Sequence, residues 1–350
     1  MKKVIVCLLV VTLSLSLFAS CDAGSENKGN GVLKVFNWGD YIDPSVTKLF
    51  EERTGIEVIY SMYETNEDMY TSVSTAAGPS YDIVFPSDYM IRRMINEDLL
   101  AEINLDNIPN YQHIDDRFKN LAFDPDNAYS VPYMWGTVGI VYNTTMVHEL
   151  VTSWTALWDT RYEKNMFMMD SVRDSFGLTL KMLDYSMNTK DEAELEEAYN
   201  KLAEQKPLVL AYTGDEVKDK MIAGEAALAV VYSGDAVTIM DENEEIEYVV
   251  PSEGSNVWFD GVCILKNAEN VENAEKFIDF LCSQEIAELN RAYINFSTPQ
   301  KQVIDALPEE VASDPAQNPD QAIIDRCEVF EDLANSTAHY EELWVRLISQ

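Results

Sequence analysis

Short apolar runs alternate with amphipathic stretches of helical period along almost the whole chain, and no other feature restricts its fold so tightly. Residues 32–36 (VLKVF) form a β run. Asp43-Pro44 then supplies an N-cap and a first-turn proline, Val46, Leu49 and Phe50 share one helical face, and Gly55 ends the segment. A strand over 56–60, a helix over 64–77 and a short buried strand over 82–85 follow. Further strands are predicted over 137–142, 166–169, 208–212, 227–232, 247–250 and 257–265. Helices are predicted after Asp174, over 191–205 and over 270–281. This alternation predicts an α/β protein with largely parallel strands, and 350 residues are enough for two domains. In such folds ligands sit beyond the carboxyl ends of the strands.

The first residues read as an address. Lys2 and Lys3 precede an apolar run through Phe18, and Ala19-Ser20-Cys21 closes it, so residues 1–20 are predicted to be a signal peptide. Cys directly after Ala-Ser resembles a bacterial lipoprotein signal, which implies lipidation of Cys21 and a membrane anchor. Phe18 stands where Leu is usual, so ordinary signal cleavage stays open. Residues 21–31 read as the lipidated Cys and a flexible tether. The mature chain is expected to work outside the cytoplasm.

Charge and composition remove whole classes of function. The net charge is −36 and becomes −38 once Lys2 and Lys3 are lost, which argues against nucleic acid and anionic lipid surfaces. Cys263, Cys282 and Cys327 have no metal spacing and read as small buried hydrophobes. His113, His148 and His339 stand apart, so neither a zinc cluster nor a His-based triad is visible, and no metal or cofactor is expected. Asp124-Pro125-Asp126-Asn127 lacks the Gly and Glu of a calcium loop and reads as a turn.

The strand ends carry paired aromatics and carboxylates: Trp38, Asp40 and Tyr41; Ser87, Asp88 and Tyr89; Asp170, Ser171 and Asp174; Tyr232 and Asp235; Trp258 and Asp260. Residues two apart in a strand face one side, so Trp258 and Asp260 offer a flat apolar wall beside an anion. That pair suits an organic cation: the ring attracts an ammonium by about 0.5–2 kcal/mol, and the carboxylate fixes its position. Each residue also has a plain structural reading. Trp38 and Trp258 serve as core anchors, Asp40, Asp170 and Ser87 as helix caps, Asp174 as a first-turn acid, and Asp235 as a turn residue.

At these residues the chain resembles the bacterial spermidine/putrescine-binding proteins of ABC-type polyamine importers. The runs FNWGDY (36–41), TGIEVIY (54–60), YDIVFPSDY (81–89), SVPYMWG (130–136) and the Trp258-Phe259-Asp260 triplet carry the likeness, in order, over nearly the whole mature chain. The resemblance implies a two-lobed, type II periplasmic-binding-protein-like fold with a hinge and an interlobe cleft. Lobe 1 would take 31–139 plus 260–310 and lobe 2 would take 140–259 plus 311–350, with crossovers near Gly139 and Asp260. It implies a monomeric receptor, not an enzyme, that closes on a polyamine and presents it to a membrane permease. Trp38, Asp40, Tyr41, Ser87, Tyr89, Asp174, Tyr232, Trp258 and Asp260 would line the ligand pocket.

Departures from the family pattern bear on the ligand. Gly39 stands for a Thr, Ser171 for an Asp, Phe296 for a Tyr and Phe330 for a Gln, while Asp88 and Asp235 are additional acids that could compensate. Spermidine is slightly favoured over putrescine. A ferric-ion receptor using Tyr41, Tyr89 and Tyr232, and a secreted glycoside hydrolase, are the other classes compatible with aromatic and acidic clusters. Asp191→Ala, on the charged helix, is expected to have no measurable effect beside the loss of polyamine binding expected at Trp258 and Asp260.

Overall fold

The computed structural model describes residues 31–75 and 80–349; Cys21, the signal and most of the tether lie outside them, as do Ala76 and Ala77 of the predicted 64–77 helix. The strands are β1 (Val32–Trp38), β2 (Glu57–Tyr63), β3 (Ile83–Val84), β4 (Ser130–Asn143), β5 (Met166–Met169), β6 (Ala211–Thr213), β7 (Leu228–Tyr232), β8 (Ile246–Val249) and β9 (Val257–Ile264). The helices that pack on them are α1 (Pro44–Thr54), α2 (Asn66–Ser74), α3 (Asp88–Asn96), α4 (Val172–Met182), α5 (Glu192–Gln205), α6 (Val217–Ile222) and α7 (Ser233–Glu242). They continue with α8 (Val271–Leu281), α9 (Gln284–Ile294), α10 (Lys301–Ala306), α11 (Glu309–Ala312), α12 (Gln321–Ile324) and α13 (Thr337–Ile348). Among the described residues no helix is long and apolar enough to cross a membrane.

Local chemistry sets these boundaries as the residues suggest. Asp43 accepts from Ser45 N at 2.7 Å to start α1, and Gly55, at φ 71°, adopts the left-handed conformation that ends it. Asp191 caps α5 by accepting from Ala193 N and Glu194 N. It is therefore a helix cap, a role its place on a charged helix did not show. We expect Asp191→Ala to cost about 1 kcal/mol of stability in chemical denaturation while leaving ligand affinity unchanged.

The strands run in the order β2-β1-β3-β9-β4-β7-β5-β6, with β8 also on β4. The expectation of largely parallel strands is only half met. β1 pairs parallel with β2 and β3, and β5 with β6 and β7, but β3–β9, β4–β9, β4–β7 and β4–β8 are antiparallel. The reason lies in β4, which pairs with β9 from Ser130 to Thr137 and with β7 and β8 from Val138 to Asn143. One long strand thus joins the β9 side of the sheet to the β7–β8 side without a crossover helix, and antiparallel neighbours need none. Its length was hidden by Pro132, which sits where the β4–β9 register shifts.

Three segments run side by side at the middle of β4, where its pairing passes from β9 to β7 and β8. Val138 N donates to Asn256 O, Val257 N donates to Glu328 O, and Glu328 N donates to Ser255 O. The apolar core lies on both sides of this junction, from Val35, Phe50 and Phe277 to Trp154, Met166 and Leu228. Cys263 and Cys282 are buried and Cys327 half-buried, all three as free thiols.

Candidate ligand-binding cleft

A cavity of about 580 Å³ opens beyond the carboxyl ends of β1, β3, β5, β6 and β7 and beside the first half of β9. The fourteen candidate ligand residues named above all line it: Trp38, Asp40, Tyr41, Ser87, Asp88, Tyr89, Ser171, Asp174, Tyr232, Asp235, Trp258, Asp260, Phe296 and Phe330; so does Asp170, at the end of β5. Carboxylates in its lining outnumber cations ten to two, the cations being Arg173 and Lys218. A cleft of this volume with so one-sided a charge is suited to a small cation.

Its centre is built on β9. Trp258 and Asp260 project to one side, as their spacing requires. Gly136 opposes Trp258 across the β4–β9 ladder, and a Cβ there would lie 2.7 Å from the indole, so only glycine lets the ring sit against the strand. The ring meets Tyr232 edge-on at 5.8 Å and Phe296 at 5.1 Å, and Phe296 in turn meets Tyr41 at 5.7 Å. These four rings form a continuous aromatic wall.

Asp260 stands within that wall. Tyr41 Oη donates to its Oδ2 at 2.6 Å, while its Oδ1 is buried without a hydrogen-bond partner. Burial pushes the Asp260 carboxyl up to about 6, so it is largely ionised at neutral pH and lacks a cation. A buried anion with one bare oxygen is a costly arrangement unless something completes it.

Asp174, in the first turn of α4, is a second buried carboxylate in the cavity lining. Ser171 caps the helix and also donates from Oγ to Asp174 Oδ2 at 2.6 Å, and Tyr232 Oη donates to the same oxygen at 3.0 Å. Burial raises its pKa, against the pull of these hydrogen bonds and of Arg173. Tyr89 and Phe330 meet edge to face at 6.2 Å beside it, and both take the Arg173 guanidinium, at 5.1 and 4.3 Å from their rings. Arg173 is fastened to the lower wall by donating to Glu331 O and Asn188 Oδ1.

The other positions are held by the fold itself. Trp38 donates from Nε1 to Phe85 O at 2.7 Å and packs on Tyr63. Ser87 bridges to Asp260 through the backbone and accepts from Asn66 Nδ2 on its hydroxyl. Asp88 is fully buried and accepts from Tyr89 N at 2.7 Å and Phe259 N at 3.0 Å. Burial pushes its carboxyl up to about 8, so it is mostly neutral at pH 7 and serves to tie α3 to β9. Asp40 and Asp235 are each 3.6 Å from Lys218 Nζ.

Lys218 and Arg173 were missed from the sequence. The strand-end rule would have led to Lys218 had β6 been placed at Ala211–Thr213 rather than at 208–212, because the loop after it carries Asp215 and Lys218 directly to the cleft. Arg173 gave no signal, since a lone cation beside a carboxylate reads as a surface pair.

The bacterial extracellular solute-binding protein family matches residues 45–319. The spermidine/putrescine-binding periplasmic protein of Salmonella typhimurium is 35% identical over 340 residues, 97% of this chain and 97% of its own. A spermidine/putrescine ABC transporter structure from Listeria monocytogenes is 40% identical with a TM-score of 0.88, covering 91% of this chain and 98% of that one. The spermidine/putrescine ABC transporter substrate-binding protein of Streptococcus pneumoniae is 41% identical with a TM-score of 0.78, covering 91% and 99%. These are substrate-binding transport proteins and not enzymes. The chain belongs to the bacterial extracellular solute-binding protein family, as a relative of its spermidine/putrescine-binding members.

Proposed function

We propose that this protein is the extracytoplasmic receptor of an ABC importer, capturing a linear polyamine between its lobes and delivering it to a membrane permease. The observation that carries this reading is Asp260: a buried carboxylate with one oxygen bare, set in a wall of four aromatic rings. A primary ammonium completes that oxygen, and the methylenes between ammoniums lie against Trp258 and Tyr232. Asp174 anchors a second ammonium. The nine residues Trp38, Asp40, Tyr41, Ser87, Tyr89, Asp174, Tyr232, Trp258 and Asp260 are proposed to line the ligand pocket, with Phe296 and Phe330 as walls and with Asp260 and Asp174 as the carboxylates that take the ammoniums.

The lobes are proposed to turn about the three adjacent segments near Val138, Asn256 and Glu328, so lobe 1 comprises about residues 31–137 plus the chain from 257 to about 319. Binding across the cleft favours the closed state, and the permease reads that state. Cys21 is proposed as the lipid anchor that keeps a monomeric receptor at the membrane. Spermidine is the ligand to which the sequence leans. Asp88, however, is engaged by backbone amides and Asp235 by Lys218, which leaves fewer acceptors for a third ammonium and favours putrescine.

A ferric receptor is a poorer fit. Tyr41, Tyr89 and Tyr232 each donate a hydrogen bond to a carboxylate, on Asp260, Glu67 and Asp174, and all three phenols have pKa values pushed well up by burial. Iron needs phenolates there.

The test is calorimetric titration of the chain from residue 22, freed of endogenous ligand by unfolding and refolding. Spermidine, putrescine, cadaverine, arginine and ferric citrate are injected in turn. Saturable one-to-one binding of spermidine or putrescine, with no response to arginine or iron, is expected. Silence toward all the polyamines from folded protein overturns the reading.

A further inference from the structure

The Asp40–Lys218–Asp235 cluster has the form of an ammonium subsite already filled. Lys218 Nζ stands 3.6 Å from Asp40 Oδ2 and 3.6 Å from Asp235 Oδ1, which come from the two sides of the cleft: Asp40 follows β1, while Asp235 lies on α7 after β7. The Lys218 and Asp235 side chains are only 19% and 14% exposed, so that pair is shielded from solvent, whereas the Asp40 side chain is 65% exposed and contributes the weaker, solvated side of the cluster. Two further features shape the subsite. Asp40 adopts φ 41°, in the left-handed region that a non-glycine residue enters only under local constraint. Gly39 leaves space beside Asp215 of the Lys218 loop, where a Cβ would come within 3.0 Å of its carboxylate. The cluster is continuous with the ligand wall, because Gly234, next to Asp235, packs directly against Phe296.

We propose that Lys218 is a specificity-determining residue: its tethered ammonium fills one cationic subsite of the cleft, so the free ligand is a diamine and a longer triamine finds its third position taken. This inference rests on the polyamine reading and refines it. A third ammonium placed at this end meets Lys218 as a like charge, and Asp40 and Asp235 as acceptors already engaged. Removing the Lys218 charge while keeping its methylenes leaves Asp235 and Asp40 free to accept the additional ammonium of spermidine. Putrescine, which reaches only Asp260 and Asp174, has nothing to gain there.

The experiment titrates putrescine and spermidine into wild type, Lys218→Met and Lys218→Gln, the second variant guarding against misfolding of the first, and into the Lys218→Met/Asp235→Asn double variant. The wild type is expected to bind putrescine at least as tightly as spermidine. In Lys218→Met and Lys218→Gln the spermidine-to-putrescine affinity ratio is expected to rise at least tenfold, and Asp235→Asn in the double variant is expected to cancel the gain. A wild type that prefers spermidine tenfold or more overturns the inference. So does a ratio unchanged within threefold, including an equal loss for both ligands, which would make Lys218 a clasp between the lobes. Either result leaves polyamine binding intact, whereas silence of the wild type toward both ligands overturns the receptor reading and this inference together.

Discussion

Asp260→Asn is expected to weaken polyamine binding by at least about a hundredfold while making the unliganded protein more stable. The binding loss follows from removing one partner of a buried, hydrogen-bonded charge pair, which typically costs about 2–5 kcal/mol. The stability gain follows from the same carboxylate in the absence of ligand. Its pKa in the folded chain is raised from 3.8 to about 6 by burial, so ionising it at pH 7 opposes folding by an amount on the order of 2–3 kcal/mol. A group raised in the folded state contributes stability that is fully present below the unfolded pKa and is lost as pH rises through the folded one. The difference in melting temperature between variant and wild type should therefore be small near pH 4 and grow, in favour of the variant, between pH 4 and pH 6.

Binding has the opposite slope. Wild-type affinity should fall progressively below about pH 6 as Asp260 takes up a proton and can no longer pair with an ammonium. Asparagine keeps the shape and an acceptor for Tyr41 Oη, so lost packing is not an alternative cause. Thermal melts and calorimetry over this pH range check both halves. A variant that binds normally, or one that is less stable than wild type at pH 7 without ligand, would remove Asp260 from the centre of the site.

How much of this was legible before the structure depends on whether the information was local. The strand-end reading brought twelve of the fourteen residues to one cavity because strand ends are marked by short-range patterns: VFNW before Gly39-Asp40, IVF before Pro86, MFMM before Asp170; Phe296 and Phe330 were named only through likeness to the family. The period of two along β9 was enough to put Trp258 and Asp260 on one face. Strand direction was not legible, since it depends on how β4 and β9 traverse the lobes, and nothing within either strand records that. The pairing of residues 255–257 with Glu328 was not legible either, because it joins segments about seventy residues apart. The roles of Asp88 and Asp235 were equally hidden. A sequence shows two additional acids, but only the fold shows that backbone amides from Tyr89 and Phe259 occupy one and that a lysine seventeen residues upstream faces the other.

Gly234→Ala should abolish closure on the ligand without harming the fold of either lobe. A Cβ at this position would lie 2.0 Å from Phe296 Cδ1 and 2.4 Å from its Cε1, far inside contact distance. Phe296 has no easy retreat, being buried between Trp258 at 5.1 Å and Tyr41 at 5.7 Å. Either the ring leaves the aromatic wall or the lobes stay apart, because Gly234 opens α7 after β7 whereas Phe296 follows α9 on the opposite side of the cleft. Overpacking of this kind costs about 1–3 kcal/mol, which sets the expected loss at roughly ten- to hundredfold in polyamine affinity. Alanine is meanwhile the better helix former by roughly 0.5–1 kcal/mol, so the unliganded variant should melt no lower than wild type once its lobes are free to separate. Small-angle scattering should show wild type becoming more compact on adding putrescine and Gly234→Ala failing to do so. Shortening the opposing side chain in Gly234→Ala/Phe296→Leu should restore part of the compaction. If the single variant binds and closes normally, Phe296 and Gly234 do not meet in the liganded state, and the aromatic wall is not the surface on which the lobes shut.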